Sequence, residues 1–138
     1  MELATMVSAS EESAVARDLF VASYSSPACL KFIQQNDNER AKLVYAEFCE
    51  GWSDERFAEA EMLVSGIEYA TLMAHDTDVS LEMRIAGALN SIMQIYGVPP
   101  ELRQAKIDKV LAVDFRALGS RVFERFKEFV EESGEALL

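Results

Sequence analysis

An all-α bundle is the fold that this sequence of 138 residues predicts, and three observations predict it. The three prolines, Pro27, Pro99 and Pro100, all fall between helix-patterned segments and none inside one. Proline is tolerated in a helix's first turn, where its missing N–H has no partner, and breaks a helix interior. Apolar residues recur at three- and four-residue spacing in segment after segment, the period of a buried helical face. Half of the chain is hydrophobic, enough for one sizeable core at a common single-domain length. The expected architecture is a single helical-bundle domain, residues 1–138, of about six helices.

The first helix is expected to start at Ser10, which offers an N-cap with Glu11 and Glu12 in the first turn, and to run to about Ser23. Val15, Leu19 and Ala22, flanked by Ala16 and Phe20, mark its buried face. Ser26-Pro27 starts a short helix carrying Cys29, Leu30, Phe32 and Ile33, which the turn chemistry of Asn36-Asp37-Asn38 is expected to interrupt. The next helix, capped by Asp37 or Asn38, buries Ala41, Val44, Tyr45 and Phe48 and stops at Gly51, a residue suited to a left-handed cap.

Ser53-Asp54 opens a long helix towards His75. It carries one apolar stripe of Phe57, Ala60, Val64 and Ile67, a second of Met62, Gly66, Tyr69 and Met73, and a narrow polar seam of Glu61, Ser65 and Glu68. Ser80 opens the following helix, in which Leu81, Ile85, Leu89, Ile92 and Tyr96 are in phase and which ends at Gly97. From Ile107, the positions Leu111, Phe115, Leu118, Val122, Phe126 and Phe129 hold one helical phase. They predict an unbroken helix to Val130, about 36 Å long at 1.5 Å per residue, with Gly119 as a close contact or a mild bend. Ser133 to Leu138 read as a frayed tail.

Charge and cysteine usage narrow the function classes. Twenty-four acidic against 13 basic residues give a formal charge of -11, which repels phosphate backbones and acidic membrane surfaces. Cys29 and Cys49 have no CxxC spacing and the chain has one histidine, so neither a zinc site nor a disulfide framework is indicated and a reducing cytoplasm fits best. No apolar run approaches the roughly 18 residues of a membrane span, and no basic leader is present at Met1-Glu2-Leu3-Ala4. No cofactor or metal is expected.

For catalysis, Cys49, His75 and Asp76 supply the residue types of a nucleophile, a base and an orienting carboxylate, but neighbours in sequence such as His75 and Asp76 rarely meet a triad's geometry. The run His75-Asp76-Thr77-Asp78 reads as a solvated turn with a single nitrogen ligand. The chain is therefore expected not to be an enzyme. The sharper signal is the aromatic and methionine content of the first half. Phe20, Tyr24, Tyr45, Phe48, Trp52, Met62, Tyr69 and Met73 are candidate walls of an apolar cavity, because methionine adapts its shape and tyrosine or tryptophan adds a polar handle. Glu47 or Glu68 would add a preference for a cationic or hydroxylated ligand.

Three segments carry a resemblance: Ala28-Cys29-Leu30-Lys31-Phe32-Ile33, the run from Ala60 to Ala70, and the close Ile92-Met93-Gln94-Ile95-Tyr96-Gly97-Val98-Pro99. With the order of elements, they resemble the effector-binding half of TetR-type transcriptional regulators over most of Ser10 to Val130. The basic helix-turn-helix that such regulators carry at the N-terminus has no match here, as in a shortened chain or one that never had the reader, and Met1 to Ser8 are expected to be the remnant of the connecting helix. The resemblance implies a cytoplasmic homodimer paired through a four-helix bundle, with a pocket in each subunit for a small apolar or amphipathic effector. Effector binding would shift the spacing of the two DNA readers, and DNA would be bound only through the missing N-terminal domain. The implied interface lies on the helices of Asp54 to His75 and Leu81 to Tyr96, where Ser65, Gly66, Gly87, Ser91 and Gln94 suit close crossing, with the helix from Ile107 as an alternative. A helical protein–protein interaction module without a pocket shares the same amphipathic pattern.

Overall fold

The computed structural model describes residues 1–136, with side chains described except at positions 126, 129, 130 and 132–136. Seven helices follow one another: α1 (Glu2–Glu12), α2 (Ala14–Ser25), α3 (Pro27–Val44), α4 (Asp54–Met73), α5 (Leu81–Ile95), α6 (Pro100–Leu111) and α7 (Phe115–Ala136). The chain is an all-helical bundle, without strands among the described residues. None of these helices is long and apolar enough to cross a membrane.

Side-chain oxygens set five of the seven starts. Ser13, Ser26, Ser53 and Ser80 accept from the N–H three residues on, at 3.2–3.5 Å, and Asp114 accepts from Ala117 N–H at 2.9 Å. Each of these bonds satisfies a backbone donor that the first turn leaves without a helical partner. α6 starts instead on Pro99-Pro100. α5 closes with a Schellman pair: Gly97, at φ +74°, donates to Gln94 O, and Val98 N–H reaches Met93 O, both at 3.0 Å.

Several helix boundaries differ from those expected. The chain breaks at Ser13 and not at Ser10, which lies buried inside α1 and donates to Met6 O at 2.9 Å. Glu11 and Glu12 therefore end α1 and bind other helices, Glu11 taking Arg84 of α5 and Glu12 taking Ser120 of α7. Asn36-Asp37-Asn38 does not turn the chain. α3 runs straight through it to Val44, because Asn36 donates to Phe32 O on its own helix and Asp37 faces Arg40 one turn on. Residues 45–51 then form turns, and Gly51, at φ +79°, closes them.

The long C-terminal helix is divided in two. Residues 112–114 interrupt it, and the cap on Asp114 lets α7 leave in a new direction to pack along α1 while α6 packs on α5. Gly119 is a close contact: a Cβ there would stand 3.0 Å from Thr5 O and 3.2 Å from Ala9 N. α7 continues through residues expected to fray, to Ala136. The side chains of Phe126 and Phe129, and residues 137–138 of the tail, lie outside the described residues.

α1 is the central element, with Ala4, Val7 and Ser8 nearly inaccessible and α2, α4, α5 and α7 packed around it. α4 buries its first expected stripe, Phe57, Ala60 and Val64, but exchanges the polar seam for the second apolar stripe. Glu61 and Ser65 of the polar seam point inward, whereas Met62 and Met73 of the second apolar stripe are exposed. Ser65 is buried because Gln34 of α3 donates to its hydroxyl at 2.8 Å.

Candidate ligand cavity

Helices α1 to α4 and the C-terminal end of α5 line a solvent-open cavity of about 460 Å³, within the range usual for small-molecule sites. α2 supplies Phe20 and Tyr24, one turn apart on one face, and the turn after α3 supplies Tyr45. α4 supplies Glu61 and Glu68, which lie two turns apart on its inner face. Tyr96, at the C-cap of α5, is 1% exposed and stacks on Tyr45 with centroids 4.1 Å apart and ring planes 7° apart. Phe32, Glu2 and Arg40 complete the more exposed side of the wall.

Each of these two carboxylates is held by a phenol. Tyr24 donates to Glu68 Oε2 at 2.7 Å, and Tyr96 donates to Glu61 Oε1. Burial pushes the Glu68 carboxyl up to about 7. The Tyr24 bond opposes that rise, while Asp37, Glu61 and Glu2 add to it. Burial likewise raises Glu61 against its bond from Tyr96, and raises Asp37 against the pull of Arg40. The Tyr24 and Tyr96 phenols are pushed well above the usual tyrosine range, by burial first and by their carboxylate partners second.

Of the eight residues expected to line a cavity, Phe20, Tyr24 and Tyr45 are brought together on this wall. Phe48 and Trp52 pack into the core instead, Trp52 lying 6.0 Å from Tyr96 and 5.2 Å from Phe57 between ring centroids. Met62 and Met73 are 59% and 47% exposed, and Tyr69 is half-buried away from the wall. Glu68 lies on the wall, whereas Glu47 is exposed outside it. Sequence reasoning missed Glu61, Asp37, Arg40 and Tyr96 as wall residues. The seven-residue spacing of Glu61 and Glu68 was the available signal, since it puts both on one helical face.

The residues implied as an interface divide. Ser65 is spent inside the subunit on Gln34, while Gly66, Gly87, Ser91 and Gln94 are on the surface, with open space around both glycines. Cys49, His75 and Asp76 do not converge. Cys49 precedes α4 and His75 follows it, with 20 helical residues, about 30 Å, between them. The Cys49 thiol is buried and raised by that burial, and donates to Tyr96 O at 3.6 Å. His75 Nε2 meets Asp76 Oδ2 at 3.0 Å.

No protein-family model, no curated protein and no solved structure matches the chain. The chemistry of the wall itself then carries the reading. Carboxylates fixed by phenols beside aromatic faces can accept hydrogen bonds and balance charge on a small guest. No group of three or more His, Cys, Asp or Glu side chains is placed to hold a metal among the described residues. A second hollow of about 580 Å³ lies between α1, α2 and α7, lined mainly by apolar groups such as Met6, Leu19, Leu118 and Val122. Glu2, Met6, Phe20 and Ser23 belong to both walls.

Proposed function

We propose that this chain is the effector-binding and dimerisation domain of a TetR-type transcriptional regulator that takes a small amphipathic effector. The observation that carries the reading is the cavity, where Tyr24 and Tyr96 hold Glu68 and Glu61 in place beside the stacked Tyr45. A core built only for stability gains nothing from carboxylates at such a place, because removing a charge from water costs several kcal/mol unless something compensates. An effector filling the cavity would bind helices α1 to α4 together and favour one arrangement of the domain over another. In the cytoplasmic full-length protein, that change would be passed to DNA readers on a homodimer.

The pairing surface we assign is the outer side of α4 and α5, where Met62, Gly66 and Met73 meet solvent beside Gly87, Ser91 and Gln94. Thermal-shift screening against small amphiphiles tests the first half of the proposal: a guest at one hundred times its Kd adds about 2.7 kcal/mol of stability. Light scattering tests the second, with a dimer mass expected at micromolar concentration. The runner-up is a protein–protein interaction module, favoured by the exposure of Phe32, Leu43 and Val44 along α3. It would be preferred if no amphiphile shifted the melting temperature and the chain stayed monomeric.

A further inference from the structure

Glu61 and Glu68 lie on the cavity wall and neither forms a salt bridge among the described residues, although Arg40 of the same wall pulls the Glu61 carboxyl down against its burial. Glu61 is 4% exposed, and its only hydrogen bond among the described residues is the one from Tyr96 to Oε1, which leaves Oε2 without a partner. Glu68 takes Tyr24 on Oε2 and has no ionic partner among the described residues. An ionised carboxylate has about four acceptor sites, so a single phenol leaves each group far from satisfied. Arg40 is the cation of this wall among the described residues, and it is engaged by Glu2 and, at 3.9 Å, by Asp37. Aromatic side chains line the same space: Phe20, Tyr24 and Tyr45.

Resting on the cavity reading above, we infer that the guest is an amphipathic organic cation, an amine or quaternary ammonium on an apolar body, with its charge lodged between Glu68 and Glu61. The two residues are seven apart, about 10.5 Å along the axis of α4, so a single cationic head between them lies within reach of both side chains. Tyrosine and phenylalanine faces attract such a head within about 6 Å of the ring. The apolar body would lie against Phe20, Leu3 and Ile92, which belong to the same wall. An anionic guest would face Asp37, Glu61 and Glu68 together and is excluded by the same charges. The groups facing Glu68 are Tyr24 from α2, Asp37 and Arg40 from α3, Glu61 from α4, Glu2 from α1 and Tyr96 at the end of α5. The raised carboxyl of Glu68 adds that a permanently charged guest must displace a proton from the wall, so its affinity rises with pH through about 7.

The test is calorimetric titration of the full chain with three matched probes: (4-phenylbutyl)trimethylammonium, 4-phenylbutanol and 4-phenylbutyrate. At pH 8 the ammonium probe is expected to bind at least tenfold tighter than the alcohol, and the butyrate more weakly than both. Glu68→Gln should remove most of that preference. The ammonium affinity of the unaltered chain should fall several-fold from pH 8 to pH 6, a change that cannot come from the probe, whose charge is fixed. Equal binding of ammonium and alcohol would overturn the cation assignment and leave the cavity reading standing. Binding of no probe at millimolar concentration would overturn both. A preference that persisted unchanged in Glu68→Gln and in Glu61→Gln would place the cation elsewhere and also overturn the assignment.

Discussion

Gly119 of α7 lies against the Thr5 carbonyl of α1 so closely that a Cβ at 119 would stand 3.0 Å from that oxygen. The neighbour is backbone in the most buried helix, so it cannot swing aside. Gly119→Ala is expected to destabilise the fold by about 1–3 kcal/mol, as overpacking does, despite alanine's better helix propensity. A denaturation midpoint equal to or above that of the parent would contradict this contact.

Gly66 and Gly87 give the opposite sign. Nothing stands within 4 Å of a Cβ at either position, so Gly66→Ala and Gly87→Ala should each raise the stability of the isolated subunit by up to about 1 kcal/mol. If α4 and α5 pair two subunits as proposed, the same variants should weaken dimerisation, read as a higher dissociation constant in sedimentation. Stabilisation with an unchanged association state would move the interface off these helices.

Glu68 ties stability to pH. Its carboxyl is raised from 4.5 to about 7 in the folded state, so the folded chain holds a proton between those values that the unfolded chain has released. Its contribution is therefore fully present below about 4.5 and is lost as pH rises through 7. Urea midpoints should fall between pH 5.5 and pH 8, and Glu68→Gln, which cannot ionise, should flatten that slope. An equally steep slope in the variant would assign the effect to other carboxyls.

Arg84 is buried, its side chain only 7% exposed, and its Nη2 lies 2.7 Å from Glu11 Oε1. Glu11→Ala leaves that guanidinium without its counter-charge, at an expected cost of about 1–3 kcal/mol. Arg84→Met removes the charge and keeps the apolar stem, so it should cost less. The reverse order in a denaturant series would show that Glu11 is not what compensates Arg84.

Leu72 and Met62 share α4 and differ in burial, at 1% and 59% exposed. Leu72→Ala should cost about 2–5 kcal/mol through the lost transfer energy and the cavity left behind. Met62→Ala should stay within about 0.5 kcal/mol for the isolated subunit. A large loss at Met62 would mean that the side chain is covered, as by a second subunit.

Local chemistry wrote much of the fold into the sequence where one residue does one job. Ser26, Ser53 and Ser80 accept from the first turn of their helices, Pro27 and Pro100 enter where no N–H is needed, and Gly97 takes the positive φ that closes α5. It was ambiguous where two readings were locally equal. Ser10 and Ser13 both suit a cap, and Ser10 lost because its position packs into the middle of the bundle. Phase alone joined Ile107 to Phe115, and the Asp114 cap that separates α6 from α7 has the same composition as a solvated helix residue. The candidate wall was legible as far as Phe20 and Tyr24, whose spacing puts them on one face, and no further: Tyr96 comes to Tyr45 from 51 residues away.

The sequence by itself determined that the chain is helical, where most helices start, and that its composition supports one core, because capping, proline placement and apolar period act within a few residues. The stripe of Phe57, Ala60 and Val64 is buried as its spacing predicts, and only the tertiary structure decided which flank of that stripe is covered with it. Glu61 and Ser65 turn inward because Tyr96 and Gln34 are there to meet them, and Met62 and Met73 are left outside as a consequence. A polar side chain is tolerated in the interior only where a partner waits for it, and that partner is set by how distant helices pack.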